Sequence, residues 1–232
     1  MNDFKDYAEK EGIKVTPEVL ESLNIFLKEL LEWNEKFNLT GITDPKEVWH
    51  KHFLDSITVI NSIPKNAVKV IDIGTGAGFP GLVVKILNPR LHVTLLEATG
   101  KKVTFLKHII KTLDLKNIEA VQNRAELLAN HPNYRESFDV ALSRAVALMP
   151  ILLEYVIPFL KIGGIFISQK KAGTEEIESS KNAIEVLGGN IKEIVKIEST
   201  ILPERQLIIV EKIKQTPKEY PRQEGLTKKR PL

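Results

Sequence analysis

The chain has 232 residues, 43% of them apolar, and a formal net charge of +3, enough to bury a sizeable core as one domain with a small appendage. It contains no cysteine, which excludes disulfides, cysteine-held metals and iron–sulfur clusters, and any reaction through a cysteine nucleophile. No apolar run approaches the roughly 20 residues that span a bilayer, and the polar start Met1-Asn-Asp-Phe-Lys is unlike a signal peptide, so a cytoplasmic protein is expected.

In chain order, residues 2–11 read as a short helix that Gly12 ends. Thr16-Pro17 has the form of an N-cap followed by proline at the first helical position. Val19, Leu20, Leu23, Leu27, Leu30 and Leu31 then repeat at three and four, the mark of one packing face. Asp44-Pro45 starts another helical stretch carrying Val48, Trp49, Phe53, Ile57 and Ile60. Together these predict a helical appendage over residues 1–62. The chain's five histidines are scattered, and His50 and His52, two apart, lie on different helix faces, so no metal site is expected.

From Val68 onward apolar runs alternate with helical segments. Strands are predicted at Val68–Ile73, Val93–Glu97, Ile118–Gln122, Phe138–Leu142 and Gly164–Ser168, with helices near 81–88, 100–113, 149–160 and 174–187. Two last runs, Ile191–Glu198 and Gln206–Lys212, are joined by so short a link that only an antiparallel pair is possible. A mostly parallel seven-stranded sheet with a terminal antiparallel hairpin fits the class I S-adenosylmethionine-dependent methyltransferase fold better than a dinucleotide fold, whose sixth strand needs another crossover. This unit is assigned to residues 63–212, followed by a tail over 213–232.

The first strand runs into Gly74-Thr-Gly-Ala-Gly-Phe-Pro-Gly81. Glycines there let backbone lie close to a ligand, but Gly76, Gly78 and Gly81 also spell the dinucleotide pattern Gly-x-Gly-x-x-Gly. Pro80 removes a donor from the helix start that would face a pyrophosphate, and Asp72 adds a carboxylate at the strand end. Both favour a ligand with positive charge, such as S-adenosylmethionine; Asp72 either attracts that ligand or orients the loop. Glu97, nineteen positions after Gly78, stands near the offset at which an acid reaches ribose hydroxyls, with Ala98 beside it.

Other candidates fall at predicted strand ends, where such sheets bind ligands. Ala125 and Glu126 follow strand three. Arg144 follows strand four and has three open roles: pairing the cofactor carboxylate, contacting RNA, or bridging a loop. Lys101, Lys102, Arg124, Lys170, Lys171 and Arg205 are candidates for a basic rim. From Lys212 to Leu232, seven basic residues stand against two acidic ones, a net +5 that leaves −2 for the rest. Such an arm attracts a phosphate backbone, and Arg222, Lys228, Lys229 and Arg230 are its RNA-binding candidates; Tyr220 and Pro221 suggest a shaped segment.

Trp33-Asn34 through Phe37-Asn-Leu-Thr40, His52-Phe-Leu-Asp-Ser56, Asp72 through Gly81, Arg144-Ala-Val-Ala147, Tyr220-Pro-Arg222 and the closing Lys-Arg-Pro-Leu together resemble the bacterial 16S rRNA guanine-N7 methyltransferase G family, also called glucose-inhibited division protein B. The resemblance covers nearly the whole chain. It implies methylation of a guanosine in 16S rRNA of the small ribosomal subunit with S-adenosylmethionine as donor, and cofactor contacts at Gly74, Phe79, Ala125, Glu126 and Arg144. Glu97 is added from spacing, Gly76 and Gly78 as members of the glycine loop, and Ala98 as the neighbour of Glu97. A monomer is expected. One departure stands out: family members often end strand five with Lys-Gly, whereas Gln169-Lys-Lys-Ala172 delays the glycine to 173. Guanine N7 is an unprotonated lone pair, so its methylation needs alignment rather than a general base, and no Asn-Pro-Pro-Tyr segment is present; Arg144 is the one residue expected to position the base. A small-molecule methyltransferase, a non-catalytic RNA-binding or division-associated protein, and a nicotinamide oxidoreductase are the alternatives.

Overall fold

The computed structural model describes residues 1–223 and 225–232. Helix α1 (Asn2–Lys10) is followed by α2 (Pro17–Phe37). The Thr16 hydroxyl accepts the Val19 amide and Pro17 takes the first turn, and Leu23, Phe26, Leu30 and Asn34 form the buried stripe of α2. The Asp44 carboxylate accepts the Glu47 amide at 2.9 Å and opens α3 (Pro45–Val48), which continues through a π-helical turn (Trp49–Leu54) into α4 (Asp55–Ile57). The wider turn shifts which side chains face inward, so that Phe53 through Val59 are all buried.

Next come β1 (Lys69–Ile73), α5 (Gly81–Leu87), β2 (His92–Glu97), α6 (Gly100–Thr112), β3 (Ile118–Gln122) and α7 (Ala125–Leu128). They lead to β4 (Phe138–Arg144), α8 (Met149–Val156), β5 (Leu160–Lys171), α9 (Glu175–Glu178), α10 (Lys181–Leu187), β6 (Gly189–Ile197), β7 (Arg205–Lys212) and α11 (Leu226–Lys229). The sheet order is β3-β2-β1-β4-β5-β7-β6. Strands β1 to β5 pair in parallel, and β7 runs antiparallel to both β5 and β6, the class I topology expected from the strand spacing.

Most expected boundaries move by one or two residues, and two elements change more. Strand β5 has 12 residues rather than five, because Gly163, at φ +82°, and Gly164 lie inside it; a Cβ on Gly164 would meet the Lys161 and Phe138 carbonyls at 2.9 and 3.0 Å. The expected 174–187 helix is split between α9 and α10 at Ser179-Ser180. A short 3-10 turn, Ile157–Phe159, ends the helical stretch that starts at Met149.

Period-two alternation divides the apolar side chains between two cores. Val70, Val93 and Val140 join α2, α5 and α6 on one face; Ile71, Ile73 and Phe166 join α8 and α10 on the other. The first core is continuous with the N-terminal helices: Phe26 of α2 stacks on Phe79 at 5.1 Å and faces Phe105 of α6 at 6.2 Å.

The basic tail lies along the body. The Arg135 guanidinium donates to the carbonyls of Thr216, Pro217 and Tyr220 at 3.0, 3.2 and 2.8 Å. Lys212, fully buried, reaches Glu136 at 2.6 Å. Arg222 grips the fully buried Glu154 of α8 through both carboxylate oxygens. Among the described residues no helix is long and apolar enough to cross a membrane.

Candidate active site

The glycine loop is folded by the strands on either side of it, β1 and β2. Gly74 and Thr75 amides both donate to the Leu96 carbonyl at the end of β2. Beneath the loop, one Asp72 oxygen accepts the Thr75 hydroxyl at 2.6 Å and the Gly81 amide at 2.7 Å. Asp72 is fully buried and its other oxygen has no partner, so of its two open roles the geometry shows loop orientation. Burial pushes its carboxyl up to about 6, against the Thr75 and Gly81 hydrogen bonds. Gly81 is a packing requirement: a Cβ there would lie 2.7 Å from Asp72 and from Leu95.

Above the loop, Glu97 joins two turns at the sheet edge. Its carboxylate accepts the Gly76 amide at 3.0 Å and the Thr99 amide at 2.8 Å, and it is buried. A carboxylate has about four acceptor positions, so two remain for a ligand. Gly76, at φ +63°, has open space where a Cβ would stand, whereas a Cβ on Gly74 would strike Val146 at 2.5 Å. The segment after β4 therefore rests on the glycine loop. Ala98 follows Glu97 in the same turn, and Ala125 and Glu126, the latter buried, open α7 at the end of β3. Gly74, Gly76, Gly78, Glu97, Ala98, Ala125 and Glu126 thus all stand at the carboxyl ends of β1, β2 and β3.

Phe79 and Arg144, at the ends of the glycine loop and of β4, face the N-terminal helices. The Phe79 ring is buried, stacked between Phe26 and His52, and the Arg144 guanidinium lies 5.3 Å over it. Arg144 donates to the Lys51 carbonyl and to Asp55, each at 2.9 Å, and to His52 Nδ1 at 3.0 Å. Asp55, 1% exposed, also takes Arg205 at 3.2 Å. One buried carboxylate thus meets two guanidinium groups. Gln169, from the end of β5, donates to the Asp55 carbonyl at 2.6 Å.

The remaining basic candidates separate. Lys170 is nearly buried and donates to the Ala147 carbonyl and to Glu176, both at 2.7 Å; Glu176 also accepts the Met149 amide at 2.8 Å. This clamp fixes the segment after β4, where Ala145 sits at φ +55°. Lys171 pairs with Glu204 at 3.0 Å and is largely exposed. Lys101 and Lys102 open α6, and Arg124 precedes α7. Lys228, Lys229 and Arg230 are exposed at the end of α11, which packs against α8, while Arg222 points inward to Glu154. Sequence reasoning gave no role to His52, Asp55 or Gln169. The one available hint was polar residues inside the apolar stretch His52-Phe-Leu-Asp-Ser56.

Among the described residues no cluster of three or more His, Asp or Glu could hold a metal ion. A cavity of about 440 Å³ opens at the opposite, amino-terminal ends of β2 and β3, near Lys69, Thr94, Glu119 and Tyr134. It is remote from the glycine loop, and the carboxyl-end edge is the site that the fold itself singles out.

Solved structures share the fold. A SAM-dependent methyltransferase from Aquifex aeolicus aligns over 73% of this chain and 94% of its own, with a TM-score of 0.56 at 16% identity. TYW2 from M. jannaschii, solved in complex with AdoMet, covers 68% of this chain and 77% of its own, with a TM-score of 0.52 at 17% identity. Sequence relatives are nearer. The ribosomal RNA small subunit methyltransferase G of Acetivibrio thermocellus is 45% identical over 222 residues, covering 95% of this chain and 92% of that protein. The protein of the same name from Moorella thermoacetica is 46% identical over 229 residues, covering 97% and 95%. The family model described as rRNA small subunit methyltransferase G matches residues 19–208. With one model spanning most of the chain and relatives aligned almost end to end, the chain belongs to the rRNA small subunit methyltransferase G family.

Proposed function

We propose that the protein methylates N7 of a guanosine in the 16S rRNA of the small ribosomal subunit, with S-adenosylmethionine as donor, acting as a cytoplasmic monomer without a metal. The observation that carries the donor site is the Gly76–Glu97 hydrogen bond. It sets a glycine turn with open space above Gly76 beside a buried carboxylate that keeps free acceptor positions, which suits an adenosine whose ribose hydroxyls donate to Glu97. Ala125 and Glu126 lie where the adenine would be held, and Gly74 and Gly78 let the backbone approach. When bound, the donor supplies an electrophilic methyl group on a sulfonium.

This chain's residues then have a limited task. Guanine N7 carries an in-plane lone pair and loses no proton, so no side chain acts as general base. Alignment is what the protein adds. Arg144 is the residue we assign to it, since its guanidinium is fixed by three partners at the end of β4. Lys101, Lys102, Arg124, Lys171, Arg205, Lys228, Lys229 and Arg230 are proposed RNA contacts, and Lys170 is proposed to act through the segment it clamps. Arg222, engaged with Glu154, is proposed to anchor the tail rather than touch phosphate.

The test is nucleoside analysis of 16S rRNA from cells lacking the gene. Loss of one 7-methylguanosine, restored by the wild-type chain but not by Gly76→Arg, is the expected result. An unchanged nucleoside profile would refute the proposal.

A further inference from the structure

Two N-terminal motifs, Asn34 to Thr40 and His52 to Asp55, belong to helices outside the sheet, yet a line of hydrogen bonds runs from them to its catalytic edge. The Asn34 side-chain oxygen, Oδ1, accepts the Thr40 amide at 2.8 Å. The Thr40 hydroxyl oxygen accepts the Ile42 amide at 3.1 Å and lies 2.9 Å from His52 Nε2. His52 Nδ1 lies 3.0 Å from an Arg144 nitrogen. Arg144 continues to Asp55, and Asp55 to Arg205.

This chain of contacts fixes the state of the imidazole. A guanidinium has donors and no acceptor, so His52 Nδ1 must accept, and must be unprotonated. The ring's single proton is then on Nε2, where it is donated to Thr40. Burial, with Arg144 as the second cause, pushes the imidazole down to about 3, in keeping with a neutral ring. The same ring is stacked on Phe79 at 4.4 Å and 14°, and the Arg144 guanidinium lies over that phenyl group. His52 therefore touches both the side chain that ends β4 and the one that closes the glycine loop.

We propose that His52 is a positioning residue: as the Nε2–H tautomer it holds the Arg144 guanidinium in one orientation against Phe79, and so couples the N-terminal helices to alignment of the target base. The proposal rests on the alignment role given to Arg144 above. A merely structural His52 would serve by fastening the helices through Thr40.

Two substitutions divide these roles. A His52→Asn side chain places its amide oxygen near the position of Nδ1, keeping an acceptor for Arg144 and giving up Thr40. His52→Gln reaches the position of Nε2, keeping Thr40 and giving up Arg144. In methyl transfer to small subunits, His52→Gln should lower kcat by about 10- to 100-fold with KM for S-adenosylmethionine and thermal midpoint close to those of His52→Asn, which should keep most of the rate. Equal losses, or the reverse order, would overturn the proposal. Independently of activity, 15N NMR of the histidine-labelled wild-type protein should show Nε2 protonated and Nδ1 bare; an Nδ1–H ring or an imidazolium would also overturn it. If the wild-type protein transferred no methyl at all, the functional reading would fall, and the NMR result would still decide whether His52 holds Arg144.

Discussion

Asp72 and His52 carry opposite electrostatic loads, and each predicts its own pH dependence. The folded Asp72 carboxyl titrates near 6, above its ordinary value, because it is buried. Between about pH 4 and 6 the unfolded chain therefore loses this proton before the folded one, and stability falls as pH rises. Asp72→Asn keeps an acceptor for Thr75 and Gly81 but cannot ionise. It should match the wild type near pH 4 and exceed it by about 2 to 3 kcal/mol at pH 8, checked by urea unfolding at both pH values. His52 acts the other way. Its folded imidazole stays neutral down to about 3, while the unfolded ring takes up a proton below its ordinary value of about 6.5, so stability is lost as pH falls through that window. From pH 7 to 5 the stability advantage of the wild type over His52→Asn should shrink by about 2 kcal/mol.

Glycines of one loop separate on the same scale. Gly81→Ala drives a Cβ into Asp72 and Leu95 and should cost about 1 to 3 kcal/mol of stability. Gly76→Ala meets no atom and only the left-handed backbone resists it, for about 1 kcal/mol. It should nonetheless abolish S-adenosylmethionine binding in calorimetry, since the new methyl group stands in the space assigned to the ligand.

At the scale of elements, the tail has two separable parts. Arg222→Ala would strip the guanidinium from the buried carboxylate of Glu154, leaving it the amide of residue 222, with an expected loss of about 3 kcal/mol. Changing Lys228, Lys229 and Arg230 together to Gln, all three exposed, should leave the thermal midpoint in place. It should lower the salt slope of RNA binding by about 1 for each phosphate group that these side chains neutralise; an unchanged slope would remove these residues from the interface. Deleting the tail would confound the two effects, because Arg135 and Glu154 hold it to the body.

Elements whose identity rests on local chemistry were readable in the sequence. Thr16-Pro17 and Asp44-Pro45 cap the helices they announce, alternating apolar runs became strands, and the short link after Glu198 forced the final hairpin. The glycine loop and Glu97 were readable as a pair because both end consecutive strands of one crossover unit, and their spacing follows from it. What escaped was contact between distant segments. Nothing in Lys170 itself distinguishes a phosphate ligand from a clamp on Glu176. Nor does a basic count near the C-terminus distinguish Arg222, turned toward a buried glutamate, from the exposed Lys228. Arg144, with its three open roles, met two partners 92 and 89 positions earlier, His52 and Asp55, which local pattern does not connect.

For the whole molecule, the N-terminal helices and the sheet meet at the carboxyl-end edge, while the tail is held on the body by Arg135 and Glu154. The N-terminal helices supply Phe26, His52 and Asp55 behind Phe79 and Arg144, the sheet supplies the glycine loop and Glu97, and the tail exposes basic side chains. The most direct test of this account is transfer of labelled methyl from S-adenosylmethionine, by the purified protein, to small ribosomal subunits from cells lacking the activity, with the modified base identified by mass spectrometry. Label on N7 of a single guanosine of 16S rRNA is the result the account predicts. Label on another atom or another RNA, or none from a protein that binds the donor, would contradict it.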